Sequence, residues 1–148
     1  MERALNVLKK YYGYQAFKPI QTKAIESILN GHDTFVIMPT GGGKSICYQV
    51  PALIFDGVTL VISPLISLMK DQVDSLETLG IHAAFINSTQ SSADYQSVKK
   101  RLTSGEIKIL YVAPERLTSS DFLSLINTLT ISFVAIDEAN CVSQWGHD

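Results

Sequence analysis

The chain has 148 residues, 46% hydrophobic and 18% charged, with a formal net charge of −2. Such a composition supports one buried core of domain size and excludes wholesale disorder. The balance of charge excludes bulk basicity as the basis of any nucleic-acid binding, so a case for DNA must rest on local features.

In chain order, residues 3–10 and 19–30 carry helical spacing, with FKPIQ between them and Gly31 as the stop. The N-terminal MERALNVLKKYYGY lacks the continuous apolar core and small-residue cleavage site of a signal peptide. From residue 34 onward the pattern changes. Short apolar runs rich in β-branched residues fall at 34–38, 58–63, 82–86, 107–112 and 131–136. Runs of that length suit strands buried on both faces of a parallel sheet, and they are far too short to cross a bilayer, so no membrane is expected. Helical segments are expected between them at 44–55, 65–79, 92–103 and 121–129. Regular alternation of this kind predicts an α/β fold with a doubly wound, mostly parallel sheet. Ligands in such sheets bind beyond the carboxyl ends of the strands, which directs attention to PTGGGKS, SPLISL, NSTQ, APERL and DEAN.

PTGGGKS lies where a strand is expected to give way to a helix. Glycines let backbone N–H groups converge, and a helix N-terminus behind them attracts phosphate. Lys44 can then reach the outer phosphates, and Ser45 can offer its hydroxyl to Mg²⁺. The usual P-loop has a further glycine five positions before Gly43, where this chain has Met38. The bland alternative is a glycine-rich turn with a solvated lysine. A second motif argues against it. FVAIDEAN ends an apolar strand with Asp137 and Glu138, roughly ninety residues downstream. Asp137 suits a metal-facing carboxylate and Glu138 a residue that orients and deprotonates water.

Together with their neighbours these motifs resemble the RecQ family of ATP-dependent DNA helicases across nearly the whole chain. YGYQAFKPIQ corresponds to that family's adenine-reading motif, and MPTGGGKS, SPLISLMKDQV, NSTQ, YVAPERL and SQWGHD follow in the family's order. Helicases of this superfamily lead into the phosphate loop through Pro-Thr-Gly, which accounts for the missing glycine.

The resemblance implies a RecA-like P-loop NTPase fold, with an N-terminal helical segment over 1–31 and a partial ATP-binding domain over 32–148. It implies ATP and Mg²⁺ as cofactors, and single-stranded and partly duplex DNA as partners. It implies 3′ to 5′ translocation in DNA repair and recombination, and a cytoplasmic location, nucleoid-associated in a bacterium. Gln21 would read the adenine edge, Tyr14 would stack on its face, and Lys18 stands where the family has arginine. Thr40, Gly41, Gly42, Gly43, Lys44 and Ser45 would hold the phosphates, with Ser45 and Asp137 on the metal and Lys44, Asp137 and Glu138 catalytic. Ser63, Pro64, Glu115, Arg116, Gln144 and Trp145 would lie along DNA.

Two departures from the family pattern carry expectations. Asn140 replaces the histidine of DEAH; nucleotide binding is expected to survive, while communication between hydrolysis and DNA is expected to change. The chain stops at Asp148, whereas the family continues with a further strand and a second RecA-like domain carrying an arginine finger. The sheet is therefore expected to be incomplete at the C-terminus and the 148 residues alone inactive in unwinding. Two other readings remain: an RNA helicase of the related Asp-Glu-Ala-Asp type, and a degenerate, non-catalytic nucleotide- or DNA-binding module. Cys47 and Cys141 are read as packed residues, and KKR at 99–101 as a solvated helix face.

Overall fold

The computed structural model describes residues 1–38 and 43–137. They form two compact units, Met1–Asp56 and Gly57–Asp148, so the expected N-terminal segment 1–31 shares its unit with residues 32–56.

In the first unit, α1 (Glu2–Val7) runs into a π-helical turn over Leu8–Tyr12, closed by the Gly13 N–H on the Leu8 carbonyl at 3.1 Å. Helix α2 (Pro19–Leu29) starts with proline at its first position, where the missing N–H costs nothing. It ends as expected at Gly31, whose φ of 80° lets the chain close on itself. Gly31 N–H donates to the Ile28 carbonyl and His32 N–H to that of Ser27, both at 3.0 Å, which satisfies the last carbonyls. Helix α3 (Ile46–Ile54) is buried from Ile46 through Ala52. Ala4, Leu8, Ile25, Ile46 and Val50 make the core of this unit, the four-residue spacings 4/8 and 46/50 placing each pair on one helix face.

The strand expected at 34–38 does not form. A strand is defined by its ladder, and among the described residues no backbone hydrogen bond pairs this segment. Phe35 and Ile37 are consequently 71% and 72% exposed.

The second unit contains the other four expected strands, β1 (Val58–Ile62), β2 (Ala83–Ile86), β3 (Ile109–Val112) and β4 (Ile131–Ile136), all parallel in the order β2-β3-β1-β4. Helices α4 (Ile66–Thr78), α5 (Ser92–Thr103) and α6 (Ser120–Asn127) are the crossovers. The β1-to-β2 step runs in one direction along the sheet, and the steps to β3 and β4 run in the other. Right-handed crossovers then place α4 on one face and α5 and α6 on the opposite face, the doubly wound arrangement expected. Leu102 of α5 with Phe122 and Leu125 of α6 accordingly share one core with Leu60, Ile86, Leu110 and Val112. Burial on both faces holds for the central strand β3, whose four residues are all buried. It fails for β4 at the end of the sheet, where Val134 and Ile136 are 51% and 57% exposed.

Candidate functional site

In the first unit the geometry centres on Gln21, the third residue of α2, which is 4% exposed. Its Oε1 accepts from the Lys18 N–H at 2.8 Å, and its Nε2 donates to the Gly43 carbonyl at 3.0 Å. One amide thus ties the FKPIQ motif to the glycine-rich loop. A primary amide offers two acceptor lone pairs and two N–H donors, so one of each remains beside the two bonds described. An acceptor beside a donor is the pairing that an adenine N6/N7 edge takes from glutamine.

Gly43 sits at φ 82°, and a Cβ there would lie 2.5 Å from Gln21 Nε2. Lys44 and Ser45 follow at the start of α3, both partly exposed. The Lys44 carbonyl accepts from Cys47 N–H at 3.1 Å and the Ser45 carbonyl from Gln49 N–H at 2.9 Å, so the two residues lead directly into α3, with Ser45 at its N-cap position. Tyr14 is 58% exposed and Lys18 is exposed. Tyr12 donates its hydroxyl to Gln49 Oε1 of α3 at 2.7 Å. Cys47 is buried, and desolvation pushes its thiol pKa up, which fits a packed, inert cysteine.

In the second unit the parallel register brings the expected segments to one rim, because all four strands point the same way. Ala113 N–H donates to the Ile86 carbonyl, Ser63 N–H to that of Val112 and Asp137 N–H to that of Ile62, at 3.1, 3.1 and 2.9 Å. NSTQ, APERL, SPLISL and Asp137 therefore lie side by side along the carboxyl edge in strand order. Ser63 is 1% exposed and its hydroxyl accepts from Leu65 N–H at 3.3 Å, so this side chain shapes the turn into α4. Pro64 is partly exposed beside it. Asp137 is 8% exposed. Asn87 binds Thr89 N–H at 2.9 Å, and Gln90 Nε2 donates to the Phe85 carbonyl at 2.8 Å, so NSTQ is a self-closed turn.

Glu115 is exposed and Arg116 partly buried in the 3₁₀ turn Pro114–Thr118, the guanidinium 5.2 Å from the Tyr95 ring centre. Arg101 of the KKR cluster pairs with Glu77 at 3.2 Å and with Glu106, and Lys99 stands 3.9 Å from Asp121. These are the contacts of a solvated, ion-paired face. Thr40, Gly41, Gly42, Glu138, Asn140, Gln144 and Trp145 lie outside the described residues.

With this geometry in place, the family model for DEAD/DEAH box helicase matches residues 18–148. The chain belongs to the DEAD/DEAH box helicase family. Within that family it is closely similar to RecQ proteins. It is 57% identical over 145 residues to the ATP-dependent DNA helicase RecQ of Haemophilus influenzae, a match covering 98% of this chain and 23% of that relative. It is 54% identical over 149 residues to the RecQ of Bacillus subtilis, covering 100% of this chain and 25% of that one. This helicase-family chain thus spans about a quarter of the length of these relatives. The crystal structure of the DUF1998 helicase MrfA bound to DNA matches its fold with a TM-score of 0.71 at 23% identity, over 92% of this chain and 20% of that one. A hypothetical ATP-dependent RNA helicase from Sulfolobus tokodaii matches with a TM-score of 0.69 at 23% identity, over 98% of this chain and 43% of the other. The α/β expectation thus agrees with helicase folds. Among the described residues no helix is long and apolar enough to cross a membrane.

Proposed function

We propose that this chain is the ATP-handling portion of a 3′ to 5′ DNA helicase of the RecQ kind, acting on single-stranded and partly duplex DNA in repair and recombination. The observation that carries the proposal is the double engagement of Gln21. One amide is fixed to the Lys18 N–H and to Gly43 of the glycine-rich loop, while one donor and one acceptor remain for a base edge. Tyr14, exposed on the same motif, supplies a face for the ring.

Gly43 and Lys44 would hold phosphate together with Thr40, Gly41 and Gly42. The Ser45 hydroxyl and the Asp137 carboxylate are hard oxygen donors of the kind Mg²⁺ prefers. The ion, when bound, neutralises charge on the phosphates. Glu138 would orient and deprotonate the attacking water. Ser63, Pro64, Glu115, Arg116, Gln144 and Trp145 belong to the segments proposed to follow the DNA strand. Because the resemblance places an arginine finger in a second motor domain, the 148 residues alone are proposed not to unwind duplex. A cytoplasmic, DNA-associated location follows from the same proposal.

The test is nucleotide selectivity in the full-length protein. Gln21→Ala is expected to raise the KM for ATP about tenfold and to reduce the preference for ATP over GTP. An unchanged preference would remove the adenine-reading role.

A further inference from the structure

Between the π-helical turn and α2, residues 13–18 belong to no helix or strand, so no ladder or helical turn fixes them. This stretch carries Tyr14, proposed above to face the base. Side chains hold it in place of backbone pairing. Beyond its far end, Gln21 Nε2 donates to the Gly43 carbonyl at 3.0 Å. At its near end, the Tyr12 hydroxyl donates to Gln49 Oε1 at 2.7 Å. Between the two, Phe17 packs against the core of Leu8, Ile25, Ile46 and Val50.

The two anchors land on either side of the residues proposed to hold phosphate. Gly43 precedes Lys44 and Ser45, and Gln49 follows them, its N–H on the Ser45 carbonyl at 2.9 Å. Four residues apart, Ser45 and Gln49 share one face at the start of α3. Gln49 is 7% exposed, so water competes little for the bond and its direction is kept. The Tyr12 ring packs against the same core as Phe17, a place that a phenylalanine ring would fill as well. The hydroxyl therefore adds position rather than burial. The turn that presents it closes with an i to i+5 bond, Gly13 N–H on the Leu8 carbonyl at 3.1 Å, a rare geometry that recurs at functional sites.

We propose that Tyr12 is a positioning residue for ATP: its bond to Gln49 holds the near end of the adenine-reading segment in register with the segment that takes the triphosphate. The inference rests on the ATP reading proposed above, and it adds Tyr12 and Gln49 to that reading. Both act through Tyr14 and Ser45 rather than by touching the nucleotide. With the stretch 13–20 tied at one end to Gln49 and at the other to Gly43, base and phosphate subsites keep a fixed separation. A ligand that carries both groups gains from that separation, and a ligand that carries one does not. Without the bond each subsite remains, and their spacing loosens.

The experiment is isothermal titration calorimetry of the full-length protein, without DNA, with ATP and with inorganic tripolyphosphate, which has the phosphates without the base, both in the presence of Mg²⁺. Tyr12→Phe keeps the ring and removes the hydroxyl. It is expected to weaken ATP about fivefold, the share of one ordinary buried hydrogen bond, and to leave tripolyphosphate unchanged. Tyr12→Phe combined with Gln49→Leu leaves no orphaned amide and should show the same selective loss, because the tie is still missing. Equal weakening of both ligands would mean general damage to the unit and would overturn the positioning role. Wild-type ATP affinity in Tyr12→Phe, or its recovery in the double variant, would overturn it too. A natural sequence that bound tripolyphosphate as tightly as ATP would remove the base-reading proposal itself, and the role of Tyr12 with it.

Discussion

The Gln21 amide and Gly43 meet so closely that neither can change alone. A Cβ at Gly43 would sit 2.5 Å from Gln21 Nε2, and the backbone φ of 82° is one that L side chains rarely adopt. Gly43→Ala is therefore expected to push Gln21 from its bond to the Gly43 carbonyl and to weaken ATP binding at least about tenfold, as checked by equilibrium titration with a fluorescent ATP analogue. Gly31→Ala, equally strained at φ 80° but with nothing within 4 Å of its new methyl group, should leave ATP binding unchanged. At this scale the sequence pointed to Gln21 and the glycine-rich loop separately. Their contact was not legible, because nothing in a separation of 22 residues announces that one side chain reaches the other's carbonyl. The pairing of Tyr95 with Arg116 was hidden for the same reason, and Tyr95 sits in a polar helix where periodicity marks no site.

Among the elements, the strands differ in burial, and an end position alone does not decide it, because β2 at the other end buries three of its four residues. β3 lies between β2 and β1 and buries all four residues, whereas β4 has a neighbour on one side among the described residues. Both read alike as apolar runs, since a run records how often burial is available and not which edge a strand occupies. The same limit explains residues 34–38, an equally apolar run whose ladder does not form. The helices were more legible. Gly31 stops α2, and the serines at 91 and 119 cap α5 and α6 with their side chains. The contrast between core and edge gives a stability prediction. Phe122, 1% exposed against Leu110 and Val112 in the shared core, should cost about 3–5 kcal/mol when changed to Ala. Val134→Lys on the open side of β4 should cost no more than about 0.5 kcal/mol, since edge strands accept lysine readily. Urea unfolding of the two variants measures both, and equal losses would mean that Val134 is covered in solution.

For the whole molecule, parallel strands gather the chemistry. One direction of travel sets NSTQ, APERL, SPLISL and Asp137 along one rim of the second unit, while α2 and the start of α3 bring FKPIQ and the Gly43–Lys44 segment together in the first. The central claim is that this chain handles ATP in a DNA-dependent motor, and it makes Lys44 indispensable. The direct measurement is ATP turnover by the full-length protein, with and without single-stranded DNA, for the natural sequence and for Lys44→Ala. The account predicts turnover that rises on adding DNA and falls by at least about a hundredfold in the variant. Turnover that ignores DNA and survives Lys44→Ala would contradict it.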